Sequence, residues 1–349
     1  MIELSQKPAL DKVVPISALD VPVPAPGDAG VVLALPLPYR ATFYPLGFAV
    51  EVLTNEEAVL ALVEECWGGF QMRHSVPPLQ VRIEVREGGS SECPPAPTLR
   101  VQRNLMSIVA DAHNHAICDI KHGFSLIWLN YAALRHRRYL YFHFIETAAH
   151  ILITTSRTTP IHAACVSRFG HGMLLTADSG VGKSTLSYAC AKAGWTFTSD
   201  DGSFLLHDSD RPRVIGNCRQ VRFRPTAKEL FSELHGRDLT PRIQGKPSIE
   251  IPTAELGLAT SEHAAIHSVI FLNRKPSAEA ELVRLQRGAA VQRFQDALNQ
   301  YPHEDFRELQ TAALLQLSSV DTYELRYSDL HPAIDLLDRL ARSTENQLL

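Results

Sequence analysis

The chain has 349 residues, 45% hydrophobic and 21% charged, with a formal net charge of −4. That length can bury a sizeable core in two or three domains, and that charge balance argues against a general nucleic-acid or anionic-membrane surface. The six cysteines include no C-x-x-C pair, so neither a zinc site nor a disulfide framework is indicated. The opening "MIELSQKPALDK" is no signal peptide and no apolar run reaches the ~18 residues of a membrane span, so the expectation is a reduced, cytoplasmic, soluble protein.

Residues 1–40 carry "VPVPAPGD" and "LPLPYR" and read as extended arms and turns. "GFAVEVLTNEEAVLALVEECWGGF" predicts a strand, a cap at Thr54 or Asn55, and a helix to about Cys66. "LQVRIEVREGG" alternates as a strand, and "GGSSECPPAPTL" reads as a surface loop. "SIVADAH", "AICDIKH" and "FSLIWLN" predict short strands of an antiparallel meander. "YLYFHFIETAAHILITTSR" is an apolar helical segment bridging to the second half. There, "IHAACVSR" and "HGMLLTA" are strands joined through Phe169-Gly170 as a hairpin. A helix follows from Lys183 to about Ala193, with Gly194 as its C-cap. Strands are expected at "WTFTS", "SFLLHD", "RVIGN", "QVRFRP", "HSVIFLNR", "ELVRLQ" and "TYELRYS", and helices at "TAKELFSELH", "AAVQRFQDALNQ", "DFRELQTAALLQLSS" and "LHPAIDLLDRLARS".

The first stretch with legible chemistry is Ala177-Asp178-Ser179-Gly180-Val181-Gly182-Lys183-Ser184. It matches G-x-x-x-x-G-K-[ST] with alanine for the first glycine, a position that needs only a small side chain. Gly180 and Gly182 permit the positive φ that aims successive N–H groups inward. Lys183 opens a helix whose positive end faces phosphate, and the Ser184 hydroxyl is placed to ligate Mg²⁺. One helix later, "WTFTS" ends on Asp200-Asp201. A parallel sheet would set the ends of these two strands side by side. One carboxylate would then face the metal or loop and the other the transferable phosphoryl group, although Asp-Asp-Gly-Ser is also good turn chemistry.

The pattern "IHAACV…GMLLTADSGVGKSTLS…GWTFTSDD" resembles HPr kinase/phosphorylase and its divergent P-loop kinase relatives over roughly residues 158–206. A strand histidine (His162), a hairpin leading into the loop, and an Asp-Asp pair carry the resemblance. It implies that Asp200 is the base that deprotonates an acceptor hydroxyl, that Asp201 pins the loop or its metal, and that His162 sits near Asp200 and tunes it. Thr185 stands where the bacterial enzymes usually carry glutamate, and their dephosphorylation segment is not found, so the likeness is closer to the divergent relatives. Lys246 and Glu250 in "GKPSIEIP" stand where related kinases place a basic residue and an acidic metal-side residue. Arg222 and Arg224 share one face of "QVRFRP", either gripping phosphate or an acidic substrate or forming an ordinary exposed strand face. His113, His115 and His122 fit no zinc spacing.

The expected fold is α/β: a P-loop kinase domain of the HPr kinase C-terminal type over residues 141–349, behind an α+β N-terminal domain over 1–140 that recognises substrate or forms an interface. The expected activity is transfer of the γ-phosphoryl group of ATP, with Mg²⁺, to a serine of a protein or peptide. The rival readings are a kinase of free serine or a sugar, and a nucleotide-sensing adaptor that transfers nothing. No nucleic-acid or membrane partner is expected, and a homo-oligomer is compatible with the resemblance.

Overall fold

The structure, a computed structural model, describes residues 36–348 apart from 179, 208, 210, 241–245, 277–278 and 298–303. The proline-rich reading of residues 1–35 lies outside the described residues. The first sheet contains β1 (Tyr39–Phe43), β2 (Phe48–Thr54), β3 (His74–Arg86), β4 (Thr98–Gln102), β5 (Leu105–Val109), β6 (His115–Asp119) and β7 (Phe124–Asn130). Their order is β1-β2-β3-β7-β6-β5-β4. Strands β2, β3 and β7 are parallel; β5, β6 and β7 form the expected antiparallel meander, and β4 extends it. The alternation of β3 is visible in Leu79, Val81, Ile83 and Val85, all buried on one face. The surface-loop reading of "GGSSECPPAPTL" fails at its end, because Thr98 and Leu99 belong to β4. Every residue of β4 is exposed, so no buried alternation marks it in the sequence.

Helix α1 (Glu57–Trp67) buries Val59, Leu62, Val63 and Trp67. Its cap differs from expectation: Glu56 is the N-cap and no side chain caps the helix. The Thr54 hydroxyl accepts from the Glu56 N–H, while Asn55 is used elsewhere, bonding both backbone groups of Val85 at 2.8 Å. The bridging segment is helical from Tyr131 to Ser156, with a break at His136, a π-helical turn at Tyr141–Glu146, and α2 (Thr147–Ser156) at its end. Its Phe144, Ala148 and Leu152 share one hydrophobic cluster with Val81 and Ile83 of the first sheet and with Phe204 and Leu206 of the second half.

The second half contains β8 (Thr158–Ile161), β9 (Ala163–Arg168), β10 (His171–Thr176), α3 (Lys183–Lys192), β11 (Thr196–Ser199), β12 (Ser203–Leu206), β13 (Arg213–Gly216), β14 (Gln220–Phe223), β15 (Ile249–Pro252), β16 (His263–Arg274), β17 (Glu281–Arg284), α4 (Ala289–Ala297), α5 (Glu304–Gln316), β18 (Asp321–Tyr327) and α6 (Leu330–Leu348). The main sheet runs β11-β9-β10-β16-β13-β12-β8, with β18 also on β16 and β17 beyond it, while β14 and β15 pair separately. Alternate residues of each strand face opposite layers. Val166, Met173, Leu175 and Ile270 pack with α3 and α6, whereas Cys165, Leu174 and Val269 pack with α4 and α5. The result is a mixed α/β architecture with parallel and antiparallel strands. Among the described residues, no helix is long and apolar enough to cross a membrane.

The helix expected at "TAKELFSELH" is two 3₁₀ turns, Pro225–Glu229 and Ser232–Leu234. They break at Phe231, whose extended backbone (φ −131°) lets its buried ring meet Tyr188 at 4.8 Å and Phe223 at 6.2 Å. Burial of that ring outweighs local helix propensity. The end of "AAVQRFQDALNQ" lies outside the described residues.

Parallel pairing of β10 with β16 brings backbones unusually close at Gly172, where an added Cβ would lie 2.1 Å from the Ala265 carbonyl oxygen. Gly172→Ala should therefore cost about 1–3 kcal/mol or more through overpacking against backbone. A urea unfolding midpoint within error of the parent chain would contradict this account.

Candidate functional site

The site is built around β9. Phe169 (φ 51°) and Gly170 (φ 74°) make a tight left-handed turn, so β10 folds back antiparallel to β9 with Thr176 opposite Ala163. On the other edge of β9, β11 is also antiparallel, with Ser199 opposite Cys165. The glycine-loop strand and the aspartate strand thus run parallel to one another, but they are not neighbours as expected. The first strand of the hairpin, β9, occupies the space between them. His162, immediately before β9, consequently sits between the loop and the aspartate pair.

After β10 the chain passes through partly buried Ala177 and exposed Asp178. Ser179 lies outside the described residues. Gly180 (φ 93°) and Gly182 (φ 117°) adopt the left-handed conformations the loop was expected to need, and Gly182 is the N-cap of α3. Val181, between them, donates its N–H to the Asp178 carbonyl at 3.3 Å. Lys183 is buried, and its Nζ donates to the Ala177 carbonyl at 2.7 Å and to that of Asp178 at 3.5 Å. Burial lowers its pKa, opposed by the Asp201 and Asp178 carboxylates and reinforced by Arg224. The Ser184 hydroxyl donates to the Asp200 carbonyl at 3.3 Å, and Thr185 follows, partly buried, in the first turn.

The two aspartates have different surroundings. Asp200 is buried, and its Oδ2 accepts the Arg222 backbone N–H at 2.7 Å. Burial pushes its pKa up to about 6, with the Arg222 N–H opposing and Asp201 adding to the rise. Asp201 is more open, and its Oδ1 lies 3.4 Å from Nδ1 of the half-exposed His162. The imidazole therefore reaches Asp201, where the sequence reading had it beside Asp200.

On β14, Val221 and Phe223 point inward, which leaves Arg222 on the opposite face as expected. Glu250 of β15 is its register partner, with Oε1 3.6 Å from Arg222 Nε. Glu250 thus belongs to the wall beside Asp200 through an arginine. Arg224 is partly buried and close enough to act on Lys183, and Lys246 is exposed. Among the described residues, no group of three or more His, Cys, Asp or Glu could hold a metal ion. A Mg²⁺ ion, which usually keeps several waters and takes only one or two carboxylates plus phosphate oxygens, is compatible with Ser184 and Asp201. The histidines of the first half are engaged locally: His122 with Asp119 at 2.8 Å, His115 stacked on Trp128, and the His113 N–H on Asp111.

Two contributors had no sequence signal. The Arg222 backbone N–H fixes Asp200 from 22 residues away, and the Tyr327 ring, at the end of β18, reaches beneath Gly182.

No family model matches the sequence, and no curated protein matches it. Among solved structures, the HPr(Ser) kinase/phosphatase from Coxiella burnetii is similar over 54% of this chain and 92% of its own, with a TM-score of 0.32 and 15% identity. At that score the likeness carries no residue role across, so the site rests on its own geometry.

The Asp200 environment has a measurable consequence. In the unfolded chain this carboxyl ionises near 3.8, whereas in the fold it stays protonated up to about 6. The folded state therefore loses stability as pH rises between those values, and the full cost stands above them. At ~1.4 kcal/mol per pH unit this amounts to at most about 3 kcal/mol. Asp200→Asn, which keeps an oxygen for the Arg222 N–H, should be more stable than the parent chain near pH 7 by up to that amount. The gap should close below about pH 4. Parallel stability-versus-pH curves for the two proteins would show that Asp200 is not the group responsible.

Proposed function

We propose that the chain is an ATP- and Mg²⁺-dependent phosphotransferase acting on a hydroxyl acceptor, a serine of a protein or peptide. The observation that carries this reading is the convergence, around the start of β9, of a glycine loop capping α3 with the Asp200-Asp201 pair. Positive φ at Gly180 and Gly182 allows N–H groups to be directed at an anion, and the N-terminus of α3 adds its dipole. Lys183, now on loop carbonyls, carries the mobile cation suited to β- and γ-phosphate oxygens. Ser184 and Asp201 would hold Mg²⁺, which supplies charge neutralisation for the transferring phosphoryl group.

The chain's own residues account for the rest. A carboxyl raised to about 6 is well matched to accepting a proton near neutral pH, which supports Asp200 as the base. A second assignment has its own observation in its favour: Asp201 is the more open carboxylate and faces His162, as a group meeting an incoming hydroxyl would. In this reading residues 141–349 carry the transfer, and residues 1–140 recognise the acceptor or form a subunit interface.

Calorimetric titration with Mg·ATP tests the site. Lys183→Ala should abolish or severely weaken binding, and equal affinity in both proteins would remove the proposal. Single-turnover transfer from γ-labelled ATP to serine peptides separates the carboxylates and distinguishes a kinase from a nucleotide sensor. If Asp200 is the base, Asp200→Asn keeps Mg·ATP affinity within a few fold while transfer falls about 10²–10⁴-fold, and Asp201→Asn loses affinity. The opposite pattern assigns the base to Asp201.

A further inference from the structure

Tyr327 is the last residue of β18, paired with Arg274 of β16. Its side chain is completely buried, in the cluster formed by Leu175, Leu186, Cys190 and the α6 residues Ala333 and Leu337. Phenylalanine would fill that position equally well. The hydroxyl is the anomaly, because Tyr327 Oη has no hydrogen-bond partner among the described residues. A buried, unsatisfied hydroxyl costs about 1–3 kcal/mol, so the group calls for a role in another state of the protein.

Its position indicates that role. The hydroxyl lies directly under the loop, so close that a Cβ added to Gly182 would sit 3.4 Å from it. The Gly182 carbonyl is already taken by the Leu186 N–H at 2.8 Å. The next carbonyl back along the loop belongs to Val181. In a trans peptide, N–H and C=O point to opposite sides. When the Gly182 N–H turns outward to an anion, the Val181 C=O must therefore turn inward, toward the space that holds Tyr327 Oη. Glycine at 182 gives that peptide the freedom to rotate. Burial pushes the Tyr327 phenol up to about 12, so it is a neutral donor at any pH where the protein would work.

We propose that the Tyr327 hydroxyl is a positioning group of the glycine loop, donating to the Val181 carbonyl when the loop N–H groups close on a bound phosphate. The proposal rests on the phosphate-site reading above and adds a residue that acts on the loop from beneath without touching the ligand. It also accounts for the orphan: a donor without a partner in this structure gains one when the Val181–Gly182 peptide turns.

The test uses full-length protein and its Tyr327→Phe variant, with thermal unfolding of each without ligand and calorimetric titration of each with Mg·ATP. The variant removes one hydroxyl and little volume. Its ligand-free melting midpoint should equal or exceed that of the parent, while its Kd for Mg·ATP rises about five- to tenfold, the scale of one net hydrogen bond. A purely structural hydroxyl would lower the midpoint, and that result overturns the proposal. So does a variant Kd within twofold of the parent's. If the parent chain takes up no Mg·ATP, the site reading itself fails and this role fails with it, an outcome distinguishable from equal binding by both proteins.

Discussion

The position of β9, antiparallel on both of its edges, is the constraint on which the site depends. Its ladder with β10 is closed by a two-residue turn that needs left-handed backbone at both Phe169 and Gly170. Its ladder with β11 is set by the pairing of Ser199 with Cys165. Together these registers bring the end of β10, the end of β11 and the start of β9 to one end of the sheet. A one-residue slip would turn every side chain of β9 to the opposite layer. The alternation of Ala164 and Val166 against Ala163 and Cys165, each pair buried in a different layer, makes such a slip costly.

The charges gathered there are arranged at some cost to stability. Lys183 and Asp200 are both buried, and a buried charge is unfavourable unless paired or hydrogen-bonded. Each is held by backbone: the lysine by loop carbonyls, the aspartate by the Arg222 N–H. These backbone dipoles satisfy two ionisable groups that burial alone would leave without a partner. The rise in Asp200 and the fall in Lys183 have the same first cause, desolvation.

The two halves of the chain are joined through packing as well as through the helical segment. One cluster contains residues of the first sheet, of α2 and of β12. Trp67 Nε1 donates to the Tyr141 hydroxyl at 2.9 Å, tying α1 to the bridging segment. Farther along, Arg73 pairs with Glu262 at 3.0 Å, and the Arg219 guanidinium stacks 4.0 Å from the Phe70 ring while donating to the Gly69 carbonyl. Arg219 precedes β14 and lies three residues before the N–H that fixes Asp200. The first half thus abuts the strand that holds Asp200.

What the sequence determined by itself is local. The hairpin at Phe169-Gly170, the loop at Gly180 and Gly182, the start of α3 at Lys183, and the alternation of β3 were readable because each depends on backbone freedom or periodicity within a few residues. The tertiary structure decided what depends on partners far along the chain. It placed β9 between two strands expected to be neighbours, moved His162 from Asp200 to Asp201, and set Glu250 against Arg222. It opened a helix at Phe231 to bury a ring, and it brought Tyr327 under a loop 145 residues before it. None of these leaves a periodic or propensity signal. Strand order and side-chain pairing are set by which buried surfaces and backbone groups satisfy one another, and that choice is made only when the whole chain packs.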